Sequence, residues 1–230
     1  MGLIDISPAI TPSSPVWPGD TGFRLDANWS FSAGDSVAVA TVTSTTHVGA
    51  HIDAPSHVIG GAPSIYETPL DACIGDCLVV DVSDLVDRGT SPHGRAAADA
   101  VRERVRRHAD APVERLLLRH YAAAQTVWDP KLPGVAPELM EWFAQQGGRL
   151  MGIDLASYDP VDSKTLDCHR AAIAGGVVLL EGLDLGSAPE GAAEVIALPL
   201  PWRDADASPV RAVLRTPDSH HPTHDAEECR

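Results

Sequence analysis

A single α/β domain is the fold class this sequence predicts, on three observations. Short apolar runs with strand boundaries recur along the chain, two helical stretches lie between them, and 230 residues suffice for one core. Hydrophobic residues make up 44% and charged residues 21%, the proportions of an ordinary globular protein, which excludes global disorder.

From the N-terminus, Met1 to Ser7 lacks the basic flank and long apolar run of a secretory signal. Pro8, Pro12, Pro15 and Pro18 then forbid a helix and predict an extended arm held by contacts, of a kind that often reaches a partner subunit. Small and β-branched residues from Val37 to Thr45 predict a strand running directly into a cluster of histidines. Further strands are expected at Cys77 to Val82, Arg115 to Arg119, Arg149 to Asp154, Val177 to Glu181, Glu194 to Leu200 and Val210 to Leu214. Arg95 to His108 has helical composition. Pro137 to Gln146 is a second helix, with Pro in its first turn and Gly147 at its stop. Residues 1–215 form the domain, and 216–230, with His220, His221 and His224 among acids and prolines, is expected to be a disordered tail.

Composition excludes several function classes. Acids outnumber bases 32 to 17, for a formal charge of -15, which argues against a sequence-independent hold on nucleic acid and against attraction to anionic lipid. No apolar run approaches the roughly 20 residues of a membrane span, and a cytoplasmic location is expected. Cys73, Cys77, Cys168 and Cys229 are too few for a disulfide scaffold. Cys73-Ile74-Gly75-Asp76-Cys77 has no second pair to complete a zinc set, so these read as buried thiols.

Chemistry concentrates in His47-Val48-Gly49-Ala50-His51-Ile52-Asp53-Ala54-Pro55-Ser56-His57. In extended chain His47, Gly49, His51 and Asp53 share one face, with Gly49 leaving room for an ion. Two imidazoles and a carboxylate suit zinc or a similar divalent ion, which can lower the pKa of a water it binds to about 7. Beyond the turn at Pro55, His57 sits near that ion without binding it and suits general acid–base work. Scattered polar residues on a half-exposed strand would explain one such histidine, and a structural zinc site is the other alternative. Structural sites, however, usually close with Cys-rich ligand sets.

The segment resembles the bacterial kynurenine formamidases, a cyclase-like family of metal hydrolases marked by His-x-Gly-x-His-x-Asp-x-Pro-x-His. The likeness continues through Asp5-Ile6-Ser7-Pro8, Pro15-Val16-Trp17-Pro18-Gly19-Asp20, Asp159-Pro160-Val161-Asp162-Ser163-Lys164-Thr165-Leu166, His169 and Leu180-Glu181-Gly182-Leu183. It extends to Ile196-Ala197-Leu198-Pro199-Leu200 and Ala207-Ser208-Pro209-Val210-Arg211-Ala212, covering nearly all but the tail. The resemblance implies a mixed β-sheet with flanking helices, of the swivelling β/β/α type, in a homodimer. It implies two divalent ions, zinc or else manganese. His47 and His51 would hold the first, His169 the second, and Asp53 and Glu181 both. His57 would be the catalytic acid and base, and Trp17 would pack on the substrate. The implied reaction is hydrolysis of N-formyl-L-kynurenine to L-kynurenine and formate. The alternatives are a related hydrolase of another aryl or cyclic amide, and a non-catalytic metal- or ligand-binding protein. The sequence departs from the family at Asp154-Leu155-Ala156-Ser157 and Arg119-His120; where Leu155 and His120 border the pocket, they would change the preferred amide.

Overall fold

In a computed structural model, the chain is described at residues 2–86, 96–109 and 111–216. The expected tail from 217 onward, with its three histidines and Cys229, lies outside the described residues, as does Arg95. The fold is α/β, as the sequence predicts. It is built on β1 (Gly2–Asp5), β2 (Arg24–Trp29), β3 (Val39–Thr43), β4 (His51–Asp53), β5 (Ile74–Asp81) and β6 (Arg115–Arg119). These are followed by β7 (Leu150–Ile153), β8 (Val178–Glu181), β9 (Gly191–Ile196), β10 (Ala207–Pro209) and β11 (Val213–Thr216). Among the described residues three α-helices interleave: α1 (Ala98–His108), α2 (Pro137–Gln145) and α3 (Asp167–Gly175).

Nine strands form one mixed, curled sheet in the order β1-β11-β9-β5-β6-β7-β8-β4-β10, and β2 with β3 make a separate hairpin. The parallel centre runs from β5 to β8. These strands are apolar at nearly every position because both of their faces are buried. Leu78, Val80, Leu116, Leu118, Met151, Ile153 and Leu179 meet the helices. Val79, Leu117, Leu150 and Leu180 turn the other way, into a second core with Ile52, Val195 and Leu214. Burying one such Leu or Ile side chain contributes about 1.5–3 kcal/mol, so the two cores fix the central strands firmly. Cys73 and Cys77 belong to the second core, where burial pushes their thiols up to about 11 and about 12.

Several expectations required correction. The strand at Val39–Thr43 does not lead into the histidines in extended form, because a turn through residues 46–50 intervenes. The proline-rich arm is preceded by a true strand, β1, paired antiparallel with β11 from Gly2 opposite Thr216 to Asp5 opposite Val213. Helix α3 is absent from the sequence-based reading, although Gly176 at φ 68° closes it with a left-handed cap. No helix among the described residues is long and apolar enough to cross a membrane.

Candidate metal centre

The register of the sheet places the site. Antiparallel β4 and β8 set His51 opposite Glu181 and Asp53 opposite Leu179, so the two acidic residues end on neighbouring strands beside one imidazole. On the other edge of β4, β10 pairs Ala207 with Asp53 and Pro209 with His51. His169 enters from the first turn of α3, and His57 from the short 3-10 turn Pro55–His57 that Pro55 starts. The structure thus brings together His47, His51, Asp53, His169 and Glu181, with His57 at the rim. All but His47 and His57 are at least 92% buried.

Two glycines permit this convergence. Gly49 and Gly182 have φ of 64° and 66°, and a Cβ on Gly182 would lie 2.2 Å from the Gly49 carbonyl oxygen. Gly49 does not make room for an ion: a Cβ there would meet Ile10 at 2.9 Å. The glycine is required by its left-handed backbone and by the approach of the arm. Gly182→Ala is therefore expected to push β8 off the histidine turn at a cost of about 1–3 kcal/mol, lowering Tm by about 2–4 °C per kcal/mol. Thermal unfolding checks this, and an unchanged Tm would mean that the close approach is not needed.

Each buried histidine has one ring nitrogen anchored and the other turned inward. His51 Nδ1 donates to the Gly49 carbonyl at 2.9 Å, and His169 Nδ1 to Asp159 Oδ2 at 2.7 Å. Half-buried His47 donates from Nε2 to Asp206 Oδ2 at 3.0 Å. Such partners orient the rings of metal-ligating histidines. The inward nitrogens meet the carboxylates in two sets. Asp53 Oδ1 lies 3.1 Å from His47 Nδ1 and 3.5 Å from His51 Nε2, which is 3.2 Å from Glu181 Oε2. His169 Nε2 lies 3.5 Å from Asp53 Oδ2 and 3.4 Å from Glu181 Oε1. Among the described residues, His51 Nε2 and both Asp53 oxygens are nevertheless buried without a hydrogen-bond partner. Ligand atoms about 2.0–2.1 Å from an ion at the centre of a tetrahedron stand roughly 3.3–3.4 Å apart. Separations of this size around the orphaned His51 Nε2 and Asp53 oxygens fit a cation better than they fit mutual hydrogen bonds. The residues present therefore fit a metal centre, with one oxygen of each carboxylate on either side.

Electrostatics agree. Burial opposes a charge on His47, but contact with Asp53, reinforced by Asp206 and Glu181, raises it to about 9. Burial also works against charged His51 and His169, and their carboxylate contacts again prevail, raising both. Asp53 is held well below the usual carboxylate range despite burial, through His169, His47 and His51; Glu181 is lowered despite burial and the nearby Asp53 charge, through His169 and His51. The pocket attracts positive charge, and protons on the imidazoles compete with a metal for it.

His57 is exposed, and its carboxylate contact is Nδ1 to Asp206 Oδ2 at 3.4 Å. It also lies near enough for one nitrogen, His47 and Asp53 to share an ion, their ligand atoms all within 4.8 Å of one another. A cavity of about 470 Å³ opens onto His47, His57, His169 and Glu181, lined also by Trp17, Trp128 and Ala156. The rings of Trp17 and Trp128 meet edge to face, 5.1 Å between centroids. Trp17 thus stands at the site of its own chain. Leu155 and His120 do not line this cavity. Leu155 is wholly buried in the core, and His120 is pinned by Asp154 through Nδ1 at 2.9 Å. Their neighbour Ala156 forms part of the wall.

Sequence reasoning missed Asp159, Asp206 and Trp128. Asp159 accepts the backbone N–H groups of Cys168 and His169 as well as the His169 ring, so it caps α3 and aims its histidine together. It lies inside a motif noted above. No local signal marks Asp206 or Trp128, which reach the site only through folding.

The family described as "Putative cyclase" matches residues 4–160. Among solved structures, a "potential metal-dependent hydrolase with cyclase activity" is 23% identical over 94% of this chain and 99% of its own, at a TM-score of 0.77. A "predicted metal-dependent hydrolase" from Bacillus stearothermophilus is 24% identical over 93% of this chain and 97% of its own, at 0.74. Isatin hydrolase A from Labrenzia aggregata, bound to benzyl benzoate, is 21% identical over 93% of each chain, at 0.79. These likenesses show the fold.

Proposed function

The chain belongs to the Cyclase family, and on that premise we propose that it is a metal-dependent hydrolase of amides joined to an aromatic ring. One observation carries this reading: three histidines, each anchored at one nitrogen, turn the other toward buried and unpartnered carboxylate oxygens. His47 and His51 would hold one divalent ion, His169 a second, and Asp53 and Glu181 both. The donors are nitrogen and oxygen throughout, which suits zinc, with manganese the alternative. Such ions supply Lewis acidity and activate water at neutral pH.

The chain's own residues do the rest. Trp17 and Trp128 grip the aryl ring, each such contact worth about 0.5–1.5 kcal/mol beyond area burial, and orient the amide toward the carboxylates. His57, at the rim, passes a proton to the departing amine nitrogen, which otherwise leaves poorly. Water adds to the carbonyl, the C–N bond breaks, and an aryl amine and a carboxylate result. N-formyl-L-kynurenine, giving L-kynurenine and formate, is the leading substrate. A second reading, a neutral cyclic aryl amide, is favoured by the lining of the site. Among the described residues, neither the cavity at the centre nor the adjoining one of about 330 Å³, lined by Asp129 and Asp184 among others, has a Lys or Arg to hold a substrate carboxylate. Isatin hydrolase shares the fold.

Chelation is expected to abolish hydrolysis, and zinc or manganese to restore it. Full turnover by metal-free protein would sink the reading. Comparing kcat/KM for N-formylkynurenine, a neutral formanilide and isatin decides between substrates. A homodimer belongs to the same proposal: a lone two-stranded sheet is marginally stable, and the β2–β3 hairpin exposes Leu25, Trp29 and Val42. Sedimentation measures it directly, and a monomer at working concentration would refute that part.

A further inference from the structure

We propose that Asp206 is a positioning residue that sets the ring orientation and tautomer of His57, holding Nδ1 as the donor so that Nε2 faces the substrate. The proposal rests on the acid–base role given to His57 above.

Asp206 stands just before β10 and is fixed at three points. Its backbone carbonyl accepts the N–H of Ala54, next to Asp53, at 2.8 Å. One carboxylate oxygen, Oδ1, accepts from Thr46 Oγ1 at 3.0 Å. The other, Oδ2, lies 3.0 Å from His47 Nε2 and 3.4 Å from His57 Nδ1. One oxygen is thus shared by an inner and a rim histidine whose ring centroids are 4.3 Å apart. An ionised carboxylate only accepts hydrogen bonds, so beside it both ring nitrogens must carry protons. For His57 this leaves Nε2 with the lone pair in the neutral ring and with the transferable proton in the charged one. A buried or half-buried carboxylate behind a histidine performs this service in hydrolytic triads, where it fixes the tautomer without itself taking the proton.

Asp206→Asn tests this, because the amide keeps the shape but presents a donor on one side. The expected result is a fall in kcat of about 10–100-fold with KM nearly unchanged. In a His57→Ala background the part of that fall transmitted through His57 should vanish, since residues acting as a unit are not additive, and any remainder should be matched by a loss of bound metal through His47. Ring 15N spectra of histidine-labelled protein, with and without zinc, give a readout free of activity: wild-type His57 should show the Nδ1–H tautomer and Asp206→Asn should lose it. An unchanged tautomer, or an Asp206→Asn loss that persists in full without His57, overturns the proposal. Wild-type protein that cleaves no amide would sink the hydrolase reading instead, and the spectra would still decide what Asp206 does to the ring.

Discussion

Asp53→Ala protein is expected to fold, to lose bound metal and to lose amide hydrolysis by about 10³-fold or more. Each Asp53 oxygen faces a different histidine, Oδ1 toward His47 and His51 and Oδ2 toward His169. Removing the side chain therefore takes a ligand from both sets at once; Asp206 and Asp159 contact the outer nitrogens of His47 and His169, and Glu181 alone is left on the inward side among the described residues. Metal ions provide several kcal/mol of transition-state stabilisation, and each 1.36 kcal/mol is tenfold in rate. The fold itself should survive, because the paired neighbours of β4 and the apolar Ile52 between its polar residues remain. Metal analysis, circular dichroism and turnover on the same preparation check the three parts. A variant that keeps full metal and full turnover would remove Asp53 from the centre.

His57→Ala is expected to behave oppositely, retaining metal while kcat falls by about 10²–10⁴-fold, the usual range for a general acid or base. Two features separate His57 from the inner histidines. It is exposed at the mouth of the cavity, and its ion-pair contact is with the outer Asp206, whereas His47, which shares that carboxylate, also turns Nδ1 inward onto Asp53. Its proximity to His47 and Asp53 leaves ligation as the rival role, and metal stoichiometry separates the two. Loss of one ion by His57→Ala protein would make it a ligand. Unchanged turnover would leave it neither.

Much of the fold was legible because the strands that matter most carry the strongest patterns. Arg115–Arg119 has the predicted bounds, and α2 runs from Pro137 as expected, ending one residue short. The helix carrying His169 was not legible. It is short, follows a turn, and starts after Leu166 in a left-handed conformation that no local rule anticipates for leucine. The same blindness made Gly49 look like space for an ion, when its role is backbone geometry against Ile10 and Gly182. Leu155 and His120 look like pocket residues in sequence because they flank strand ends; burial takes both inward and leaves Ala156 at the wall.

By itself the sequence determined the α/β class, the apolar central strands and the clustering of His47, His51, Asp53 and His57, since all of these are written in neighbouring residues and their spacing. Only the tertiary structure decided which nitrogen of each histidine turns inward and which carboxylate oxygen it meets. Around His47 and His51 those choices belong to Asp206 and to the pairing of β4 with β8. The physical reason is that a hydrogen bond across more than a hundred residues leaves no periodic trace in the chain, and exists only once the cores on both faces of the sheet have brought its ends together.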